Sequence, residues 1–328
     1  MRPLTFTTPK PMIPFLNKPV MEHIILKLAE EGFKESIITT NFKPDVLEGY
    51  FDAGKKWGLD VHIVDEDEPL GTAGSVKNAL HHLDETFAVV QGDNISEIDL
   101  SAMFDYHHQH DASFTIALRH VEDVTHYGIA EMDGEEIIAY QEKPPAGEAF
   151  SNLANTGIYI LEPEVLDMIP LEFFDFSHDL FPKMLSQGKK ICGWVTDAFW
   201  RDVGTPEAYM EATQYFLKGE NNIGDANVTD SDLTASVIGD GCSVKDSYLI
   251  GSVLFPRTRV DEAKLDSCII GSGCRIGKGA EIRKGSILGD GCVVGDGAVI
   301  GCGARLGPGH IVGPGDNVSG DVPSTIDW

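Results

Sequence analysis

Between residues 270 and 312 an aliphatic side chain returns at every sixth position: Ile270, Ile276, Ile282, Leu288, Val294, Ile300, Leu306 and Val312. Seven of these eight precede a glycine, the exception being Ile282 before Arg283. A small residue stands four positions after each of the first six, at Cys274, Ala280, Ser286, Cys292, Ala298 and Ala304. A period of six matches neither an α-helix nor a flat strand, so neither element buries this pattern. It fits a left-handed parallel β-helix, in which three hexads close one triangular coil and residues such as Cys274 and Cys292 stack at about 4.8 Å. The large aliphatic fills the coil centre, the small residue leaves room beside it, and the glycine is expected to form the tight corner. A shorter run at Ile238, Val244 and Ile250 has the same period but is out of phase with the later one. That offset predicts a loop or irregular coil between the two.

The first two-thirds of the chain follow another rule. Amphipathic helical patterns at 20–31, 44–55 and 73–82 alternate with apolar runs at 36–40, 61–64 and 87–90. Such alternation implies parallel strands joined by crossover helices, an α/β fold. From Ser113 onward strand-like stretches dominate (113–119, 127–132, 136–141, 158–161), so the second half of this domain reads as a mixed sheet. A helix over 206–218 precedes a polar linker. The expected division is an α/β domain over 1–218, a linker over 219–228 and the β-helix over 229–328.

The net charge of -27 disfavours nucleic acid and anionic lipid as partners, because the average surface repels phosphate. It leaves room for a nucleotide held by a local cluster of cations and backbone N–H groups. The six cysteines contain no C-x-x-C pair and read as reduced, mostly buried thiols. No run of about 18 apolar residues exists to span a membrane, and the N-terminus lacks the basic-then-apolar pattern of a secretory signal. The expected location is the cytoplasm.

A series of short motifs runs through the first domain: Arg2-Pro3-Leu4-Thr5, Thr8-Pro9-Lys10-Pro11-Met12, Glu68-Pro69-Leu70-Gly71-Thr72-Ala73-Gly74, Gln91-Gly92-Asp93-Asn94, Tyr127-Gly128, Glu142-Lys143-Pro144, Asn155-Thr156-Gly157 and Phe199-Trp200-Arg201-Asp202-Val203-Gly204-Thr205-Pro206. Each alone is commonplace. In this order the set resembles the sugar-1-phosphate nucleotidyltransferases (NDP-sugar pyrophosphorylases), many of which also carry a C-terminal hexapeptide β-helix. The resemblance implies a Rossmann-like nucleotidyltransferase domain that lacks the family's first strand and its Gly-rich G-x-G-T-R loop. That pattern would place the catalytic arginine immediately before Met1, so a longer, active natural protein is expected.

The implied reaction is attack of a sugar-1-phosphate oxygen on the α-phosphorus of an NTP, with pyrophosphate leaving. Two anions must meet, so catalysis rests on charge neutralisation and alignment. By resemblance Asp93 and Asp202 hold Mg²⁺, whose hard-cation chemistry needs only one or two carboxylates, and Lys10 neutralises the triphosphate. Lys143 binds the sugar's phosphate and Glu142 accepts from its hydroxyls. Gly71 and Thr72 border the base and ribose, while Gly128, Asn155 and Thr156 line the sugar site. The Glu68–Gly74 stretch is most similar to mannose-1-phosphate guanylyltransferases, whereas Gly92-Asp93-Asn94 also suits glucose-1-phosphate thymidylyl- or uridylyltransferases. Rival readings are a non-catalytic regulatory subunit that binds nucleotide sugar, and an acyltransferase working through His310. No strand–G-x-G-x-x-G–helix unit supports a dinucleotide-dependent dehydrogenase. The β-helix is expected to mediate homo-oligomerisation.

Overall fold

Most of the expected elements form near their expected limits, and the departures have local causes. The computed structural model describes residues 1–324, which divide into two units, 24–200 and 1–23 with 201–324. The elements of the first are α1 (Val20–Glu30), β1 (Glu35–Thr40), α2 (Pro44–Phe51), β2 (Asp60–Asp65), α3 (Gly71–Asn78), β3 (Phe87–Val90), α4 (Leu100–Gln109), β4 (Phe114–His120), β5 (Gly128–Asp133), β6 (Glu136–Glu142), β7 (Leu153–Leu161), α5 (Phe181–Ser186) and β8 (Ile191–Val195). Helix α2 stops short of its expected end because Asp52 and Ala53 take left-handed backbone angles, φ 38° and 54°. The reversal brings Trp57 back onto buried Phe51, with ring centroids 5.2 Å apart.

Strands β1 and β2 form the expected parallel pair, from Glu35 opposite Asp60 to Thr40 opposite Asp65. β3 does not extend that pair. It joins a six-stranded mixed sheet of order β3-β7-β4-β8-β6-β5, in which it runs antiparallel to β7. Helix–strand alternation constrains only consecutive strands, and the partner of β3 lies more than sixty residues downstream. The sheet is buried on both faces, so its central strands are buried almost continuously rather than at alternate positions. Phe114, Tyr159, Phe176 and Phe181 pack on one side, and Ala117, Ile158, Ile160 and Trp200 on the other. Between β7 and β4 the register shifts: Asn155 faces Leu118 but Tyr159 faces Ile116, so four steps along β7 match two along β4. Gly157 takes φ 74° inside this bulge.

The second unit is a parallel β-helix of three sheets with seven, six and six strands, and helix α6 (Pro206–Leu217) lies along it, from Gln214 bonded to the Ala235 carbonyl to Glu207 beside Arg305. Its first strand, Asn222–Ile223, pairs in parallel with Val237–Ile238. From Ile269 to Asn317 successive coils are 18 residues long: Ile269 stacks on Ile287, and Arg275 on Val293, while the last pairing, Arg305 on Asp321, returns to 16. The earlier coils are shorter. Val237 stacks on Val253 and Val253 on Ile269, 16 residues per turn. Their buried positions, Ile238, Val244, Leu249, Leu254, Val260, Leu265 and Ile270, step by six, five and five.

Of the expected loop or irregular coil between the runs the second forms, because two of the three corners in each early coil contain one residue fewer. Two other expectations are corrected here. Ile250 is therefore an outward residue, 56% exposed, and Leu249 is the inward one. The shorter corners turn on a left-handed residue two positions after the inward one, such as Asp246 (φ 48°), Glu262 (φ 48°) and Ser267 (φ 44°). The glycine after each aliphatic is also not the corner residue. In the long coils the left-handed glycine comes three positions after it, as at Gly273 (φ 68°) and Gly291 (φ 71°). Gly271 instead admits the next coil, since a Cβ there would lie 2.7 Å from the Asp290 backbone nitrogen. The small inward position also bonds: Cys274 and Cys292 Sγ donate to the carbonyls of Gly289 and Gly307 at 3.2 Å, and Ser286 Oγ to Gly301 at 2.7 Å. All six cysteines are unpaired thiols, five of them buried and Cys302 exposed.

The N-terminal segment belongs to this unit. Asn17 donates to the Ile238 carbonyl at 3.0 Å and Thr7 to Asp290 at 2.7 Å, while the Tyr209 hydroxyl of α6 donates to Pro14. Among the described residues no helix is long and apolar enough to cross a membrane.

Candidate active site

Lys10 opens a short 3-10 turn, Lys10–Met12, between two prolines that fix its backbone. Its Nζ lies 3.4 Å from Asp202 Oδ1, with both side chains partly exposed at 35% and 46%. Asp202 is fixed by its neighbours. Arg201 grips Glu211 of α6 through Nε at 3.0 Å and Nη2 at 2.5 Å. Thr205 caps the same helix through the Ala208 N–H at 3.1 Å, and Pro206 fills its first position. Gly204 keeps the pair accessible, for a Cβ there would lie 2.8 Å from Asp202 Oδ1 and 2.9 Å from Lys10 Nζ. A solvent-facing cation beside a carboxylate can bind a phosphate chain and a hard divalent cation together.

The other expected residues belong to the first unit. Asp93 follows β3 across the turn Gln91–Asn94, where the Asn94 N–H donates to the Gln91 carbonyl at 3.2 Å. Asn94 itself is buried and donates Nδ2 to the Thr156 carbonyl at 2.8 Å.

A second cluster gathers at β5, β6 and β7. Gly128 starts β5 directly against Tyr140, and a Cβ added there would meet the Tyr140 hydroxyl and lie 2.7 Å from Glu142 Oε2. Asn155 Nδ2 donates to the hydroxyls of Tyr140 and Tyr159, each at 3.0 Å, and its Oδ1 accepts from the Gly157 N–H at 2.8 Å. The bulge in β7 makes that geometry, since an uninterrupted strand would not bring the Gly157 N–H back to Asn155. Tyr140 also meets Glu142 Oε2 at 3.3 Å and Ser177 Oγ at 2.8 Å. Burial pushes both phenols far above their ordinary pKa, so they remain protonated donors at neutral pH. Lys143 places Nζ 3.7 Å from Glu142 Oε1, on a backbone at φ 44° held by a 3.0 Å bond from its N–H to Tyr127. A left-handed lysine is strained by about 1–2 kcal/mol, and such strain gathers at functional positions.

Three expected positions are engaged differently. The Thr156 hydroxyl is buried and donates to the Ala117 carbonyl at 2.8 Å. Gly71 takes φ 73°, but a Cβ there would meet the Phe174 carbonyl at 2.9 Å, so its open side faces the 172–176 segment. The Thr72 hydroxyl bonds Asp175 at 2.9 Å and accepts from the Phe176 N–H at 3.0 Å. His310 extends the inward column of Cys274 and Cys292; its carbonyl accepts from the Val293 N–H at 2.9 Å, and its Nδ1 is enclosed without a hydrogen-bond partner.

Tyr140, Tyr159 and Ser177 escape the sequence reading. Tyr140 shares a strand face with Glu142 by the period of two, which is a usable signal. The bulge hides Tyr159, and nothing near Ser177 marks it.

Known proteins resemble both parts of the chain. The family described as nucleotidyl transferase matches residues 1–219, and the GlmU-like, C-terminal hexapeptide family matches residues 221–306. A mannose-1-phosphate guanylyltransferase from Mycobacterium tuberculosis is 33% identical over 80% of this chain and 75% of its own length. A UTP–glucose-1-phosphate uridylyltransferase from Synechocystis is 37% identical over 67% of this chain and 61% of its own. The crystal structure of HddC from Yersinia pseudotuberculosis complexed with GMP-PN superposes with a TM-score of 0.56 at 28% identity, covering 64% of this chain and 90% of that one. The chain belongs to the nucleotidyl transferase family, as a sugar-1-phosphate nucleotidyltransferase whose first domain is followed by a hexapeptide-repeat β-helix.

Proposed function

We propose that this chain joins GTP to mannose-1-phosphate, the sugar phosphate oxygen attacking the α-phosphorus while pyrophosphate leaves. The observation that carries the reading is the array Asn155–Tyr140–Glu142 with Lys143 beside it. A half-buried carboxylate, oriented by a partly buried phenol and adjoining a lysine, suits a ligand with hydroxyls at one end and phosphate at the other. In this reading Glu142 accepts from sugar hydroxyls, Asn155 and Tyr140 fix Glu142, and Lys143 neutralises the sugar's phosphate. Lys10 neutralises the triphosphate. Gly71 and Thr72 act through the backbone beside the nucleotide, Gly128 keeps the sugar face open, and Thr156 serves by anchoring the bulge.

Asp93 and Asp202 are the proposed Mg²⁺ ligands. The fit rests on donor chemistry: the Asp202 carboxylate is an oxygen donor, half exposed and able to accept a partly hydrated hard cation. When bound, the ion would neutralise phosphate charge. We further assign residues 1–218 to the catalytic domain and the β-helix, whose first strand Asn222–Ile223 lies inside the expected 219–228 linker, to joining copies of the chain in the cytoplasm. Outward Tyr248, Ile250 and Ile311 on the coils support the last point. UTP and glucose-1-phosphate form the second reading, favoured by the name of the Synechocystis relative.

Pyrophosphate release should be measured with GTP, UTP and dTTP against mannose- and glucose-1-phosphate, on this chain and on the longest in-frame product of its gene. Turnover with GTP and mannose-1-phosphate above all other pairs is expected. Turnover confined to another pair overturns the substrate assignment, and binding of sugar nucleotide without any turnover favours a regulatory subunit.

A further inference from the structure

Outside these clusters, three side chains from separate parts of the first unit converge on one point. Glu35 begins β1, His62 lies in β2, and His82 ends the short 3-10 turn Leu80–His82 that follows α3. The parallel register sets Glu35 opposite Asp60 and Ile37 opposite His62, so Glu35 and His62 share a sheet face. His62 Nε2 lies 3.2 Å from Glu35 Oε1, and His82 Nδ1 lies 3.4 Å from the same oxygen. The two imidazoles sit with centroids 4.9 Å apart and planes 33° apart. One ligand atom from each of the three lies within 4.8 Å of the others.

Two ring nitrogens aimed at one carboxylate oxygen need a proton or a cation between them and it, because bare lone pairs would repel. The spacing suits a cation. Zn²⁺ binds imidazole nitrogen and carboxylate oxygen at about 2.0–2.2 Å, which puts adjacent ligand atoms of a tetrahedral shell roughly 3.3–3.5 Å apart. The two nitrogen-to-oxygen separations, 3.2 and 3.4 Å, lie within about 0.1 Å of that edge. Two imidazoles and one carboxylate are a borderline-soft set, suited to Zn²⁺ rather than to Mg²⁺ or Ca²⁺. All three side chains are partly exposed, at 44%, 45% and 35% for Glu35, His62 and His82, so a metal-bound water can complete the shell.

We propose that Glu35, His62 and His82 form a Zn²⁺ site that cross-links β1 and β2 to the segment after α3. The site is separate from Asp93 and Asp202 in chemistry as well as in residues. The clip joins three stretches that are distant along the chain, so binding adds stability to the folded state alone.

Zn²⁺ should be titrated into the chelator-stripped full chain against a chromophoric competitor, in parallel with His62→Ala/His82→Ala and Glu35→Gln. The wild type is expected to take up one equivalent more than the double variant, and Zn²⁺ is expected to raise the melting temperature of the wild type but not of the double variant. Glu35→Gln keeps the side-chain shape and should lower affinity by about tenfold or more at an unchanged metal-free melting temperature. Equal stoichiometry in wild type and double variant, or wild-type affinity in Glu35→Gln, overturns the site.

Discussion

The start of β5 presses against the Tyr140 hydroxyl so closely that no side chain fits on Gly128, where an added Cβ would also lie 2.7 Å from Glu142 Oε2. Gly128→Ala must therefore push Tyr140 or Glu142 out of place. A displacement of about 1 Å at a positioned group costs roughly 10²-fold in rate, so kcat/KM for the sugar phosphate should fall by about that factor. The sheet beneath is continuous, and the melting temperature should drop by only a few degrees. A variant with wild-type kcat/KM would remove Tyr140 and Glu142 from the sugar site.

Tyr140→Phe leaves the ring in its contact with Phe181, 5.0 Å between centroids, and deletes only the hydroxyl. Asn155 then loses one of two acceptors, and Glu142 loses its phenolic neighbour. The net worth of such a hydrogen bond is about 0.5–1.5 kcal/mol. We expect KM for the sugar phosphate to rise up to roughly tenfold with kcat almost unchanged. A fall in kcat at constant KM would assign Tyr140 to the chemical step instead.

These two cases show where legibility ends. The six-residue period identified the coil centres from Ile270 to Val312, because each buried position there repeats one local rule. The same rule misassigned Ile250, since a five-residue corner leaves no signature until its left-handed residue is seen. Lys10, Asp93, Asp202, Glu142 and Lys143 stand out as charged residues in short motifs. Tyr140 shares a strand face with Glu142, but Tyr159 joins the site only through the bulge at Gly157, a register shift between strands far apart in sequence. Pairings of that kind are fixed by tertiary packing, which the local pattern does not contain.

Lys10 and Asp202 share an ion pair yet should fail differently. Removing one preorganised electrostatic group costs about 10²–10³ in kcat, so Lys10→Ala and Asp202→Asn should each lose activity on that scale. Only Asp202→Asn should also require more Mg²⁺ for half-maximal turnover, because only it removes a proposed ligand. Identical Mg²⁺ titrations in the wild type and Asp202→Asn would strip Asp202 of that role.

Two neighbouring glycines separate close packing from backbone strain. At Gly271 a Cβ meets the Asp290 backbone nitrogen and Oδ1 at 2.7 Å, whereas at Gly273 nothing lies within 4 Å and only the φ of 68° resists substitution. Gly273→Ala should cost about 1 kcal/mol. Gly271→Ala forces apart two coils bonded along their length and should cost about 1–3 kcal/mol. Thermal melts of the two variants should rank them in that order; equal melting temperatures would mean the coils yield freely.

Stability should also fall on mild acidification, through His107. The ring is fully buried in α4, with Nδ1 2.7 Å from Thr115 Oγ1 and Nε2 3.1 Å from Glu162 Oε1. Burial holds its pKa below the ordinary 6.5, outweighing the opposite pull of Glu162. An unfolded chain gains its proton near 6.5, while the folded chain does so only at lower pH. Between those two values the unfolded state binds more protons, so stability declines as the pH drops through that window and levels off below the folded pKa. His23, also depressed chiefly by burial, adds a contribution of the same sign. The melting temperature should therefore decrease from about pH 7 to about pH 5. His107→Gln can bond Glu162 without titrating, so it should melt lower at pH 7 yet show a shallower decline across the interval. A decline as steep as that of the wild type would place the pH sensitivity elsewhere in the chain.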